Sequence, residues 1–147
     1  MLFALLIPFG VHADQAKNVP TAAPVPDGIA GLYCGRISSS GAEQHSFTRF
    51  VISPDGLMGE YGFADPTTRG EITFGTLENC TMIGDLIVSC LWRDAYGVGR
   101  FEVEFTKDYK RFFGHWGPQV TSTDRSLRWN GTEVEQADRH AACFGWM

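Results

Sequence analysis

The sequence LIVSCLWRDAYGVGRFEVEFTKDYKRFFGHWG, residues 86–117, decides the fold of this 147-residue chain. It contains a recurring unit of an aromatic residue, a glycine-rich turn and a strand in which apolar and polar residues alternate. In its cleanest part, Phe101, Val103 and Phe105 alternate with charged residues, which is the period of a strand with one buried face. The unit therefore predicts an antiparallel meander of short strands.

Weaker copies of the unit occupy residues 57–75 and 114–131, and short strands with turn signals continue in both directions. The predicted strands cover residues 31–37, 46–53, 57–63, 71–77, 85–93, 99–106, 111–116 and 126–131. In the fourth of them, we expect Ile72 and Phe74 to point inward. About eight sequential strands with one apolar face favour a closed up-and-down barrel, because closure removes exposed edges. A two-sheet sandwich is the alternative.

The charge balance narrows the class of partner. The formal net charge is −5, which argues against a nucleic-acid partner, since phosphate contacts need a basic surface. No segment of the mature chain has the roughly 20 apolar residues that a membrane-spanning helix needs.

The amino-terminal residues predict export. Residues 1–13 combine an apolar run with the small-residue spacing of a signal-peptidase site, and cleavage after Ala16 would fit as well. Residues 14–27 are rich in Pro and Ala and predict an extended linker. A single domain is expected over residues 28–147, in the periplasm or secreted. The alternative is that the apolar run forms a buried strand or helix.

Four cysteines fit an oxidising compartment, where disulfides persist. Three pairings are possible. The simplest joins Cys80 to Cys90 across a hairpin turn, and Cys34 and Cys143 would then tie the first strand to the end of the chain. Residues 133–142 contain good helix formers and predict a short helix that lies across the barrel next to Cys143.

Few residues suggest catalysis. His140 and Cys143 form only a lone His-x-x-Cys pair, which is weak as a metal motif, and no nucleotide or hydrolase motif is present. His115 is expected on the solvent face of its strand, with a general base as the alternative. Asp94, at a strand end, is a binding candidate, although Asp also favours turns through its side-chain hydrogen bond. We expect no cofactor, no metal and no enzymatic activity.

Aromatic residues near the strand ends are the strongest candidates for binding. Inside a barrel they would line a pocket and stack on a ligand; they are Tyr33, Tyr61, Trp92, Trp116 and Trp129. The same residues would equally pack a solid core, which the small interior of an eight-stranded barrel favours.

The layout of residues 28–131 resembles the small secreted barrels of the lipocalin and avidin-like (calycin-type) families. These families often begin with Gly-x-Trp, packed against a basic residue of the last strand. Here Gly31-Leu32-Tyr33 occupies the first place, with Tyr instead of Trp, and Arg128 is the candidate for the second. The resemblance implies binding of a small molecule, a peptide or a partner protein, and it assigns no ligand residue.

Together these observations predict an exported, disulfide-linked and non-catalytic barrel that binds a small molecule or a partner protein. One alternative is a protein-interaction factor with a solid core, such as a secreted protease inhibitor. The other is a small hydrolase or isomerase that uses His115 or Asp94 at the barrel mouth.

Overall fold

The computed structural model describes residues 24–135 and 137–145, which form a closed antiparallel barrel. Its strands are β1 (Gly31–Ser39), β2 (Ala42–Ser53), β3 (Gly56–Ala64), β4 (Ile72–Met82), β5 (Ile87–Asp94), β6 (Gly97–Phe105), β7 (Arg111–Gly117) and β8 (Arg128–Val134). Each strand pairs with the next along the chain, and β1 pairs with β8 to close the sheet. The predicted up-and-down barrel is confirmed, and the sandwich alternative is wrong.

The up-and-down order divides the connections between the two ends of the barrel. The connections β1–β2, β3–β4, β5–β6 and β7–β8 lie at one end, which we call the mouth. The connections β2–β3, β4–β5 and β6–β7 lie at the other, which we call the closed end. Strand pairing continues up to Ser39 and Ala42 in the β1–β2 hairpin and up to Asp94 and Gly97 in the β5–β6 hairpin. Both turns at the mouth are therefore short.

The closed half of the barrel is packed with aromatic rings. Phe50 lies between Phe105 and Phe112, with centroid distances of 5.5 and 5.9 Å and steep interplanar angles. Such edge-to-face contacts are favourable beyond the area that they bury. Phe101, Val103 and Phe105 of β6 are buried, as their alternation with charged residues predicts, and Val88 of β5 is buried as well.

A short 3-10 turn at Asp27–Ile29 covers the closed end, and Ile29 is fully buried there. The hydroxyl of Tyr33 donates hydrogen bonds to the carbonyl oxygens of Ile29 at 3.0 Å and Tyr109 at 2.9 Å. The expectation that Arg128 packs against this ring is wrong. Tyr33 is paired with Glu133 of β8, whereas Arg128 pairs with His115 towards the mouth.

A second apolar cluster lies outside the barrel, under the helix α1 (Arg139–Phe144). Phe144 packs there on Phe47, which points outward from β2. A short carboxy-terminal helix was predicted, but its expected range of 133–142 is wrong at both ends. Residues up to Val134 belong to β8, because they complete the ladder with β1, and Asp138 then caps the helix through the backbone N–H groups of His140 and Ala141.

Both predicted cysteine pairs are at disulfide distance. Cys34 and Cys143 have their Cα atoms 5.1 Å apart and join α1 to β1, while Cys80 and Cys90 are 4.1 Å apart across the β4–β5 hairpin. Disulfides persist in oxidising compartments, so the two bridges suggest an exported protein.

Strand β4 differs from its prediction in the face that it buries. Ile72 and Phe74 were expected inside, but Ile72 joins the outer cluster and Phe74 is 54% exposed. The inward positions belong instead to Thr73, Gly75 and Leu77, because Thr73 bonds to a buried carboxylate and Gly75 leaves room for the ring of Tyr61.

The predicted signal peptide lies outside the described residues, as does the linker up to residue 23. The last linker residues include Val25, which packs against the barrel core. Within the described ranges, no helix is long and apolar enough to cross a membrane.

Candidate functional site

A cavity of about 290 Å³ opens at the mouth of the barrel. Its walls are mostly aromatic and aliphatic, and a few polar side chains stand at the rim. The lining residues are Ile37, Ser39, Ser40, Tyr61, Phe63, Asp65, Thr67, Trp92, Asp94, Tyr96, Trp116, Pro118 and Trp129. A concave, largely apolar site with a few converging polar groups is the usual form of a small-molecule site, and this volume is at the lower end of that class.

All four connections at the mouth contribute to the rim. The β5–β6 hairpin supplies Asp94 and Tyr96, and Gly97 adopts a φ of 139° that a side chain rarely tolerates. The β3–β4 connection supplies Asp65 and Thr67, while the other two connections contribute serines and a proline. The strands thus place residues that are far apart in sequence around one opening.

Four of the six aromatic residues that line the cavity form two edge-to-face pairs. Trp129 contacts Tyr61 on one side and Phe101 of the core on the other, with both centroid distances 4.7 Å. Trp92 and Trp116 meet edge to face at 5.7 Å. Trp129 therefore separates the packed closed half of the barrel from the open half.

Two glycines make room for these rings. A side chain at Gly99 would collide with the carbonyl of Gly117 and with the indole of Trp92, so the ring lies directly over that position. A side chain at Gly75 would collide with the ring of Tyr61. Glycine at such points allows a close approach of a ring to the backbone.

Asp65 is the centre of a hydrogen-bond network at the rim, and the residue is 1% exposed. One carboxylate oxygen accepts from the backbone N–H and the hydroxyl of Thr67, and the other accepts from Thr73 and Tyr96. Burial alone would raise the pKa of Asp65, but the bonds from Tyr96, Thr67 and Thr73 outweigh it and lower the pKa to about 2. Asp65 is therefore ionised at neutral pH and saturated with donors.

Asp94 has a different environment. Its Oδ2 accepts from the hydroxyl of Tyr61 at 2.7 Å, and its Oδ1 accepts from the backbone N–H of Tyr96 at 2.8 Å. Burial and the bond to Asp94 raise the pKa of Tyr61 far above its ordinary value, so the phenol keeps its proton and continues to donate. A carboxylate has about four acceptor positions, and the described residues occupy two of them on Asp94.

The structure brings together four of the five aromatic residues that the sequence singled out. Tyr61, Trp92, Trp116 and Trp129 line the cavity, and Tyr33 lies at the closed end. Of the two catalytic alternatives, Asp94 lines the cavity, whereas His115 is not among its lining residues. The Nε2 atom of His115 is buried with no hydrogen-bond partner among the described residues, and burial followed by the charge of Arg100 lowers its pKa.

Sequence reasoning missed most of the rim. Asp65, Thr67 and Tyr96 fall between the predicted strands, and Ile37 and Phe63 are the last residues of two of them. None of these five residues was singled out from the sequence. The order of the strands could have identified these rim residues, because every second connection of an up-and-down barrel lies at the same end. In the described ranges, no group of three His, Cys, Asp or Glu side chains is placed to hold a metal ion.

The chain was compared with models of protein families, with curated proteins and with solved structures, and no match was found in any of the three. The closed eight-stranded antiparallel barrel is compatible with a calycin-like fold.

Proposed function

We propose that this protein is an exported, non-catalytic binding module that holds a small molecule in the mouth of its barrel. The observation that carries this proposal is the open cavity of about 290 Å³, with aromatic walls and polar groups confined to the rim. Aromatic rings supply most of the contact energy for a ligand, and a few fixed polar groups supply its orientation.

The half-packed interior favours a small ligand over the alternative of a solid core used only as a surface for a protein partner. Phe50, Phe105 and Phe112 fill the closed half of the barrel. The aromatic rings in the half at the mouth leave the cavity between them. The two disulfides support residence in the periplasm or outside the cell.

The placement of the two catalytic candidates supports a role without chemistry. Asp94 is held by Tyr61 and by the turn of its own hairpin. His115 belongs to β7, where it alternates with the inward-facing Trp116, so its ring is on the outer side of the barrel. A general base must lie within hydrogen-bond reach of the proton that it abstracts. His115 is not at the cavity, and Asp94 lines it without a His, Lys or Cys among the other lining residues.

Native mass spectrometry of the protein purified from its own host tests the proposal. We expect a retained small molecule that is lost on denaturation. A Ser39→Trp variant places an indole at the rim of the cavity and should be purified without that mass. Glu43→Trp is the matched control, because Glu43 faces Ser38 in the same hairpin and lies outside the cavity. A mass retained equally by all three proteins, or by none, would contradict binding at the mouth.

A further inference from the structure

The indole N–H donors around the cavity are already used by the protein. The indole N–H of Trp92 donates to the carbonyl of Gly117 at 2.8 Å, and that of Trp116 donates to the carbonyl of Ser38 at 3.0 Å. Trp129 donates to Thr48 at 2.9 Å. Each indole has one donor and no acceptor. These three side chains therefore offer a ligand only the apolar, electron-rich surface of their rings.

The phenols at the cavity also donate to the protein. Tyr61 donates to Asp94, and Tyr96 donates to Asp65. What remains towards the cavity is mainly acceptor capacity, above all the two open positions on the Asp94 carboxylate. Ser39 and Ser40 add hydroxyl groups, which both donate and accept.

The charge at the mouth has one sign. Asp65 and Asp94 line the cavity, and none of its lining residues is Lys, Arg or His. Of the four ion pairs found among the described residues, none includes either carboxylate. A partly enclosed carboxylate without a cationic partner is costly, and the negative potential of a cleft of one sign is concentrated inside it.

We propose that the ligand is a small organic cation, an ammonium group with apolar substituents, which binds between the aromatic walls and the carboxylate of Asp94. This inference rests on the proposed function, since it names the ligand class of the same cavity. A cation over the face of an aromatic ring is attracted by the ring quadrupole, and quaternary ammonium groups are recognised in this way. An anion would meet two carboxylates and no free indole donor, and a neutral apolar molecule would leave the Asp94 carboxylate without a cationic partner.

Two probes of the same shape separate charge from hydrophobic fit. Phenyltrimethylammonium and tert-butylbenzene differ only in the central atom, which is a cationic nitrogen in one and a neutral carbon in the other. Binding is followed by the fluorescence of the tryptophans at the cavity, in wild-type protein, in Asp94→Asn and in Glu104→Gln. Glu104 is an exposed residue of β6, so its substitution removes one negative charge away from the cavity.

We expect the cation to bind wild-type protein at least about tenfold more tightly than the neutral probe, a difference of about 1.4 kcal/mol. The preference should fall severalfold in Asp94→Asn, persist in Glu104→Gln, and weaken with added salt. Equal binding of both probes would overturn the inference and leave the proposed function standing. An equal loss in both variants would also overturn it, because the effect would then come from overall charge. Binding of neither probe would overturn it as well, while the retained mass in the Ser39→Trp comparison judges the proposed function separately.

Discussion

The charge of Asp65 should make the barrel less stable in acid by a predictable amount. The four hydrogen bonds to its carboxylate lower its pKa from the ordinary 3.8 to about 2. A group whose pKa is lower in the folded state stabilises that state above the unfolded pKa. The contribution is lost as the pH falls through the folded pKa. The window therefore lies between about pH 4 and pH 2.

The full shift corresponds to about 2 kcal/mol, at about 1.36 kcal/mol for each unit of pKa. The network stands at the rim of the barrel, where water screens part of the interaction. We therefore expect roughly 1–2 kcal/mol in total, of which about 1 kcal/mol is lost by pH 2.5.

Urea unfolding at pH 6, 4, 3 and 2.5, followed by tryptophan fluorescence with the disulfides intact, measures this loss. The quantity to compare is the free energy of unfolding of wild-type protein minus that of Asp65→Asn, which cancels the titration of the other carboxylates. This difference should shrink by about 1 kcal/mol between pH 6 and pH 2.5. Thr73→Val removes one of the four donors and should show an intermediate pH dependence. A difference that stays constant over this range would refute the role assigned to the network.

Four other variants test the fold and the cavity. Replacing Cys34 and Cys143 by Ala should lower the free energy of unfolding by about 5 kcal/mol on the chain-entropy model, and replacing Cys80 and Cys90 should lower it by about 3 kcal/mol, because the loops span 109 and 10 residues. Thermal and urea unfolding of both double variants measures the two losses, and a larger loss for the short loop would contradict this order. Tyr33→Phe removes the hydroxyl that donates to the carbonyl groups of Ile29 and Tyr109, and it should lower the free energy of unfolding in urea by about 1–3 kcal/mol. The affinity for phenyltrimethylammonium should not change, and a weaker affinity would mean that the closed end takes part in binding. Gly75→Ala forces the ring of Tyr61 aside, so it should lower the affinity for phenyltrimethylammonium and lower the free energy of unfolding by about 1–3 kcal/mol. An unchanged affinity would show that the position of Tyr61 does not matter for binding.

The strands were predictable because turn chemistry and alternation agree along most of the chain. Pro54, Asp55 and Gly56 are typical turn residues, and Gly56, at the first position of β3, adopts a φ of 115°. On β6, the alternation of apolar and charged residues from Phe101 to Phe105 predicts which face is buried. Where local signals and tertiary packing point the same way, boundaries follow within a few residues.

Strand β4 shows where this agreement fails. Its apolar residues Ile72 and Phe74 face outward, and its inner face contains a threonine and a glycine at the level of the cavity. Hydropathy counts neither of these as core residues. Thr73 faces inward, where its hydroxyl donates to the carboxylate of Asp65. Gly75 faces inward, where the ring of Tyr61 occupies the space that a side chain would take. The cavity itself thus distorts the pattern from which the strand was predicted.

One of the selected aromatic residues, Tyr33, lies away from the cavity for a topological reason. Tyr33 begins the first strand, so it lies at the closed end, whereas Trp92 and Trp116 lie near the ends of strands that run to the mouth. Closeness to a strand end was the criterion used, but it does not distinguish the two ends of the barrel. Counting the strands and following their direction would have separated Tyr33 from the others.

Asp94 shows that a turn residue can also line the cavity. Its Oδ1 accepts from the backbone N–H of Tyr96, which is the local turn bond that the residue type predicts. Its Oδ2 accepts from Tyr61 across the barrel, and the side chain lines the cavity. The turn bond fixes the carboxylate before any ligand arrives, and a pre-ordered group loses little conformational entropy on binding. The hairpin that closes β5 onto β6 is therefore also the element that prepares the charged side of the cavity.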